Sequence, residues 1–542
     1  MKRVSFPGTS SGQNGFVLVV CLLLLALLVV IGTAGMVQVS TGLKISGNYK
    51  GSRQAFYAAE GGVDYAIARL DQALRSLVPN ISFPAPSVPG FTFSDFGVTA
   101  DAAGMYQQVL TGGPFAGLTA FCTDYDVRSD VRGADNASAR IVAEVRNVLI
   151  PLFQFGIFYE QDLEILPGAN MTFAGGRIHS NQDIYLNPDG SATLSIDSII
   201  TTAGDLYHER KDRTDTERTV RIKDGNDQYQ TMTIDSDDAS WTVDSQTTWD
   251  GRVKTVDHGI PQLTLPLSTD DPTEILSTGD GSMYSKAGLR IVDGVATDKD
   301  GNVVNLEYTD AGGNTVSPLS TASFYDQREE KTVTVTEVNV ELLMGNSSAV
   351  ASLNDPPDGG DAGILYVSSS SNAIRLSGGE DIPSTGFTVA TDRPLYIQGD
   401  YNVDNDPAAV VADAVTVLSN SWNDSHSASS NLDDRVASTT TVNAAIMGGN
   451  KNTSGSQYSG GVENFIRFLE KWSGKTLNYS GSLVCLWESE YATGNWRYGS
   501  PVYTAPTRNW SYGIDPSRLP PGTPRVRMLE EVSWQQVLPG QE

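Results

Sequence analysis

Gly15 to Thr41 reads GFVLVVCLLLLALLVVIGTAGMVQVST and holds no charged side chain. Its twenty residues from Phe16 to Gly35 are nearly all apolar, and as an α-helix they span roughly 30 Å, the thickness of a bilayer's hydrocarbon core. This stretch is therefore expected to cross a membrane, and the rest of the chain, which is polar enough for water, is arranged by it. Lys2 and Arg3 are the only charges before Lys44, and positive residues hold a short leader on the cytoplasmic side. The large remainder is thus expected to be exported across that membrane.

Beyond Lys44 the apolar residues Phe56, Ala59, Val63, Ile67, Leu70, Leu74 and Leu77 recur at steps of three and four, which puts them on one face of a helix. One continuous membrane-spanning and amphipathic helix is expected over 16–78. By pattern alone its second half is a juxtamembrane helix packed on its own globular domain.

The wording of this region carries a resemblance. Gly15-Phe16, a glycine and an aromatic between a basic leader and a long apolar run, resembles the cleavage junction of type IV prepilins and pseudopilins. Gly47-Asn48-Tyr49-Lys50 followed by Arg53-Gln54-Ala55-Phe56-Tyr57-Ala58-Ala59-Glu60-Gly61-Gly62 resembles the signature of PilX-type minor pilins. That resemblance implies a leader over 1–15 removed by the prepilin peptidase after Gly15, a mature chain starting at a methylated Phe16, and partners among other pilins and the pilus assembly machinery. It also implies a final place on a cell-surface pilus. In major pilins the fifth mature position is a glutamate that pairs with a neighbouring subunit's amine; here it is Val20. Tip subunits of secretion pseudopili also lack that carboxylate, so the resemblance favours a priming or tip position, with the exported part used for surface contact or adhesion. A type II secretion-like pseudopilin is the competing reading.

At 542 residues the chain exceeds one compact core, so several units are expected. A net charge of −27 and a pI near 4.5 oppose nucleic-acid binding, which needs clustered Lys and Arg. Cys122 and Cys485 are the two thiols outside the apolar stretch, and an oxidising compartment lets such a pair form a disulfide if their backbones come within reach.

After an irregular connector, Phe121–Val127 and Arg140–Val148 alternate polar and apolar residues as half-buried strands do, with a turn at Asp135-Asn136. A small pilin-like β region is expected over 79–152. Then Gln161-Asp162-Leu163-Glu164-Ile165, Gln182-Asp183-Ile184-Tyr185-Leu186 and Gly204-Asp205-Leu206-Tyr207 recur at offsets of 21 and 22 residues. That is the length of one coil of a three-strand parallel β-helix, whose coils bury a shared core by stacking. The fold class is thus α+β: a long helix with a small pilin-like sheet, then a mainly-β region over 153–455 read as a parallel β-helix, with a β-sandwich as the alternative. Tyr207 to Val253 is read as a polar excursion, Leu289–Thr309 as a hairpin turning at Asp300-Gly301, and Thr332–Leu343 as one strand. Pro394–Ile397, Ala414–Leu418 and Val442–Met447 are read as successive strands of one stack. Over 456–542 an aromatic-rich β region is expected, led by an amphipathic helix at Gly461–Trp472 with Val462, Phe465, Ile466, Leu469 and Trp472 inward and Glu463, Arg467, Glu470 and Lys471 outward. The order GGVENFIRFLE, GSLV, RNW and LPPGTP resembles the C-terminal part of large PilX-like proteins.

Chemistry is sparse. Parallel β-helices include polysaccharide-active enzymes, and Asp433-Asp434-Arg435 and Asp257-His258 are the acid-base groupings to weigh, but neither has partner motifs that complete a site. No catalytic residue is expected and the chain is read as no enzyme. Its four histidines, His179, His208, His258 and His426, lack zinc spacing. Asp298, Asp300 and Asn302 place oxygens at alternate positions, a weak calcium pattern that departs from an EF-hand and otherwise reads as a turn. No other cofactor is expected. Trp472, Trp487, Trp496, Trp510 and Trp534 crowd the last 71 residues, either as core or as a recognition surface for a glycan or protein.

Overall fold

The computed structural model describes residues 13–76, 81–133, 136–267, 271–310, 312–370 and 372–538. The leader charges Lys2 and Arg3 and the turn residue Asp135 lie outside the described residues. One helix, α1 (Gln13–Arg75), runs through both the apolar stretch and the amphipathic one. It is followed by a large β-rich region, giving an α+β chain.

Strands β1 (Phe91–Ala100), β2 (Tyr106–Val109), β3 (Thr119–Gly133) and β4 (Ser138–Pro151) form an antiparallel sheet. The alternation read in the sequence is the burial pattern of β3 and β4, with Val127, Val131, Ile141, Ala143 and Val145 turned to α1. The sheet is completed from the other end of the chain. Strand Arg525–Val537 pairs antiparallel with β4, from Arg525 opposite Pro151 to Val537 opposite Arg140.

Beyond β4 the pairing becomes parallel. Strands β5 (Phe155–Tyr159), β6 (Leu163–Ile165) and β7 (Met171–Ala174) are followed by β8 (Arg177–Ser180), β9 (Ile184–Leu186) and β10 (Thr193–Asp197), then by β11 (Ile200–Thr202), β12 (Leu206–Tyr207) and β13 (Thr219–Lys223). Each triplet lies on the previous one, with Ile157 opposite Ile178, Leu163 opposite Ile184 and Leu194 opposite Met171. The 21- and 22-residue repeat is thus a structural period. The Asp of each repeat explains its recurrence: Asp162 Oδ1 accepts from the backbone N–H of Asp183 at 3.1 Å, and Asp183 Oδ1 from that of Asp205 at 2.9 Å. Parallel pairing of this kind is not that of a β-sandwich, whose strands are antiparallel.

The polar segment read as an excursion contributes β13 on β10, β14 (Tyr229–Thr231), which closes that sheet antiparallel, and a helix, Trp241–Trp249, before the chain rejoins β11 at β15 (Val253–Lys254). Residues 256–287 then run back along the flank. Leu263 N donates to Asn181 Oδ1 at 2.8 Å, and Tyr366 Oη donates to Leu276 O at 2.8 Å. The chain re-enters at β16 (Leu289–Val292), whose antiparallel partner β17 (Val295–Asp298) turns at Asp293-Gly294. The expected turn at Asp300-Gly301 exists as a second, smaller one. Both residues of the first have positive φ, 48° and 80°, the twist a two-residue hairpin needs.

From β16 the chain winds back towards its starting point, and strand Leu483–Glu488 lands on β5, Leu483 opposite Ile157. One sheet of eleven strands therefore runs through both halves. Its register aligns Leu289, Leu365, Val389, Val410, Ile446, Leu483, Ile157, Ile178, Ile200 and Val253 in a single interior column. All ten are at most 1% exposed, and each buried aliphatic side chain stabilises by about 1.5–3 kcal/mol. The outer face of this sheet is also covered, by Ile260, Leu263, Ile275 and Met283 of the return segment, so its strands read as unbroken apolar runs.

Several expectations need correction. Gly461–Trp472 is a 3-10 turn, Val462–Asn464, and a two-residue strand, Arg467–Phe468. Glu463, Arg467 and Glu470 are 3, 5 and 1% exposed, because tertiary partners satisfy their charges and the helical period is coincidental. Thr332–Leu343 divides at Asn339, whose side chain accepts from Leu342 N at 2.9 Å and starts a short helix, Val340–Gly345. Leu395–Gln398 and Val415–Leu418 are neighbours as expected, but Val442–Met447 straddles a corner between Thr440–Asn443 and Ala445–Asn450, on different sheets. The expected boundary at 455/456 falls inside the stack.

Candidate functional site

The helix α1 changes character along its length. From Phe16 to Lys50 every side chain is exposed, Phe16 by 72% and Leu23 by 64%. Its most apolar 18-residue window has a mean hydropathy of 3.2. This is the one helix among the described residues long and apolar enough to cross a membrane. In water each such side chain forgoes about 1.5–3 kcal/mol of burial, so the bare half needs lipid or neighbouring helices. Gly15 and Phe16 lie in its first turn and Val20, 37% exposed, one turn further on.

Burial begins at Gly51. Ala55, Ala59, Gly62, Val63, Ala66 and Leu70 face β3 and β4, and small residues let the helix lie close. At Gly62 an added Cβ would meet Ser129 Oγ and, at 2.7 Å, Phe93 Cε1. The terminal strand locks this arrangement. Arg527, 1% exposed, donates through Nη1 to Asp71 Oδ1 of the helix at 2.6 Å and through Nε to Asn147 Oδ1 of β4 at 3.2 Å. Burial pulls its guanidinium below its ordinary pKa, against the pull of Asp71. Trp534 packs edge-on against Phe56, ring centres 5.9 Å apart. Sequence reading missed Arg527, since an arginine alternating along a strand carries no sign that it is buried 456 residues from its partner.

The other singled-out residues are structural. Cys122 and Cys485 are both free, so the disulfide that the sequence left possible is not formed here. Cys122 lies in the cluster on the outer face of the eleven-stranded sheet, and Cys485 points into the stack interior, so the sheet separates them. Burial raises both thiols above their ordinary pKa, Cys485 to about 12. The Asp298 carboxylate accepts from the backbone N–H of Asp300 and Asn302, at 3.0 and 2.8 Å, and from the Asn302 side chain at 3.0 Å. These bonds hold its pKa below the usual range. The calcium pattern is thus a turn, and no group of three His, Cys, Asp or Glu among the described residues is placed to hold a metal.

The acid-base groupings serve the same end. Arg435 is buried and donates to the carbonyls of Leu469, Val502 and Pro501, while Asp433 pairs with Lys471. His258 Nδ1 accepts from Thr255 N at 3.1 Å. His179, wholly buried beside Phe115, Phe155 and Phe158, is pushed down to about 3 by desolvation and stays neutral.

Fold and anchor together define a class: a β-rich protein carried on an N-terminal helix whose first half is bare and apolar and whose second half packs on an antiparallel sheet. Residues 14–64 match the PilX N-terminal family model. The N-terminal segment is therefore similar to that of type IV minor pilins of PilX type. No curated protein matches the sequence. Among solved structures, the competence-associated pilin ComZ from Thermus thermophilus aligns at 13% identity over 90% of this chain and 98% of its own, with a TM-score of 0.22, too low to carry the topology across.

Proposed function

We propose that this chain is a minor pilin that enters a type IV pilus through residues 16–50 of α1 and projects its β-rich region from the filament. The observation that carries the reading is the abrupt change at Gly51, where a wholly exposed apolar helix becomes a docked one. A helix that served only its own domain would have no use for an unburied half of this length. Packed among the apolar helices of other pilins, or first in lipid, that half loses its exposure.

On this reading the leader ends at Gly15 and is cut there by the prepilin peptidase on the cytoplasmic side of the inner membrane. Val20 leaves the mature helix without a buried carboxylate, which is costly in lipid unless paired, and this suits a priming or tip subunit. The stacked parallel coils are read as a three-sided solenoid, a stiff arm for presenting a surface. With Asp433, Arg435, His179 and His258 engaged in structural bonds, the arm acts by contact and not by catalysis.

The test is intact-mass analysis of the N-terminus in membrane and sheared-filament fractions, with and without the peptidase. A chain beginning at Phe16 and recovered in sheared filaments is expected. A chain that retains residue 1 and stays out of the filaments would overturn the proposal.

A further inference from the structure

Where the two runs of coils meet, four distant segments enclose a groove of 580 Å³, within the range of small-ligand sites. Its floor joins Glu463 and Asn464, from the stretch expected to be an amphipathic helix, to Trp496, Tyr503 and Arg508 of the aromatic-rich region. Arg508 donates through Nε and Nη2 to Glu463 O at 2.9 and 2.6 Å, Tyr503 Oη donates to Asn464 Oδ1 at 2.6 Å, and Trp496 Nε1 donates to Tyr503 Oη at 2.9 Å. The ring edges of the floor are thereby pinned. Tyr498, 59% exposed, stands at the lip with its ring 5.6 Å from that of Tyr503.

The charges lining the groove are balanced and mutually engaged. Arg210, stacked over Tyr458 at 4.8 Å, pairs with Asp212 at 2.8 Å, and Arg213 at the rim lies 3.8 Å from Asp189. Arg508 spends its donors on Glu463 O and Asn464 Oδ1, while the Glu463 carboxyl accepts from Tyr458 Oη at 2.8 Å and is pushed above its ordinary pKa by burial. A free cation or anion would have to break these pairs. A purely apolar ligand would strip water from the lone pairs and N–H groups that these pairs leave unused, with nothing to replace it. A sugar meets both demands: its C–H faces pack on aromatic rings, and its hydroxyls, each donor and acceptor, bond to carboxylate and guanidinium groups in their existing pairs.

We infer that this groove is a binding site for a neutral oligosaccharide. The inference rests on the reading of the β-rich region as a contact-making arm and supplies its ligand class. Tyr498 and Trp496 are the stacking surfaces, and Asp189 and Arg213 the hydroxyl partners at the rim.

The experiment uses the full chain in a detergent without a sugar head group. Tryptophan fluorescence and calorimetry are followed on adding neutral hexose and N-acetylhexosamine oligosaccharides, with uronate oligomers as the charged comparison. Binding of a neutral oligomer is expected, weakened roughly tenfold or more by Tyr498→Ala and retained by Tyr498→Phe, which keeps the ring. Asp189→Ala, at an exposed rim position, is a second variant expected to weaken it. Binding of uronates only, no saccharide binding, or binding indifferent to both alanine variants would overturn the site. The sheared-filament assay separates the two readings. A chain that binds sugar yet never enters filaments removes the pilus proposal alone, and one that enters filaments but binds no saccharide removes the groove alone.

Discussion

Asp71 and Arg527 tie the first element of the chain to the last, and removing either should cost unequal amounts. Arg527 is 1% exposed and cannot shed its charge, whereas Asp71 retains 31% of its side-chain exposure. In Asp71→Ala the guanidinium stays buried with Asn147 as its remaining side-chain partner. Breaking a buried pair in this way costs about 3–5 kcal/mol, and the partial exposure of Asp71 reduces the expectation to about 2–3 kcal/mol. In Arg527→Met the methylene stem is replaced by apolar volume and Asp71 turns to water and to Arg75, 2.9 Å away, at a cost of about 1 kcal/mol or less. The assay is hydrogen exchange of the amides joining β4 to Arg525–Val537, because a local opening, not global melting, reports this contact. Asp71→Ala should lower their protection roughly 30- to 150-fold, Arg527→Met by roughly fivefold or less. Arg75→Ala, which removes only an exposed i,i+4 pair, should change it little. If Arg527→Met were the more damaging variant, or the double variant no better than Asp71→Ala, the pair would not be the lock described.

Two further outcomes follow from other parts of the molecule. Gly62→Val should lift α1 from β3, since its side chain meets Ser129 and Phe93; a loss of about 1–3 kcal/mol in docking would be read as new proteolytic cleavage between 51 and 75, with Gly61→Val, in open space, as the silent control. Glu164, on β6 at the junction of the two runs of coils, accepts from Thr453, and burial raises its carboxyl from 4.5 to about 7, with Glu463 and Asp212 adding to the rise and Lys211 opposing it. The folded state thus holds a proton the unfolded state has lost, so this group's stabilisation is complete below pH 4.5 and is lost as pH rises through about 7. Glu164→Gln should therefore raise stability by about 1–3 kcal/mol above pH 7 and leave it unchanged in acid, measured by denaturant unfolding monitored by near-UV dichroism.

Much of this architecture is legible in the sequence alone. The uncharged run from Gly15 and the three-and-four spacing beyond it specify one helix, and the 21- and 22-residue recurrence of Asp162, Asp183 and Asp205 marks coils that stack in that register. Such features are local or periodic, and each element announces its own environment. The failures have a common form. Glu463, Arg467 and Glu470 look like the wet side of a helix until their partners, some supplied from more than a hundred residues away, are seen to bury them. Val442–Met447 looks like one strand because a corner between two buried strands leaves no polar break.

The groove was hidden for the same reason. Trp496, Tyr498 and Tyr503 were visible as an aromatic-rich stretch, but nothing in it shows that Arg210 and Asp189 lie across from it.

The chain by itself determined that there is a bare apolar helix, an amphipathic continuation and a β-rich, acidic remainder, because hydrophobic patterning and turn chemistry act over a few residues. Only the tertiary structure decided that the coils begin in the middle of the stack, that Leu483–Glu488 closes onto β5, and that Arg525–Val537 returns to bind β4 and α1. Those choices rest on matching interior columns and buried ion pairs between segments hundreds of residues apart, and pairings of that range leave no mark in either partner's own sequence.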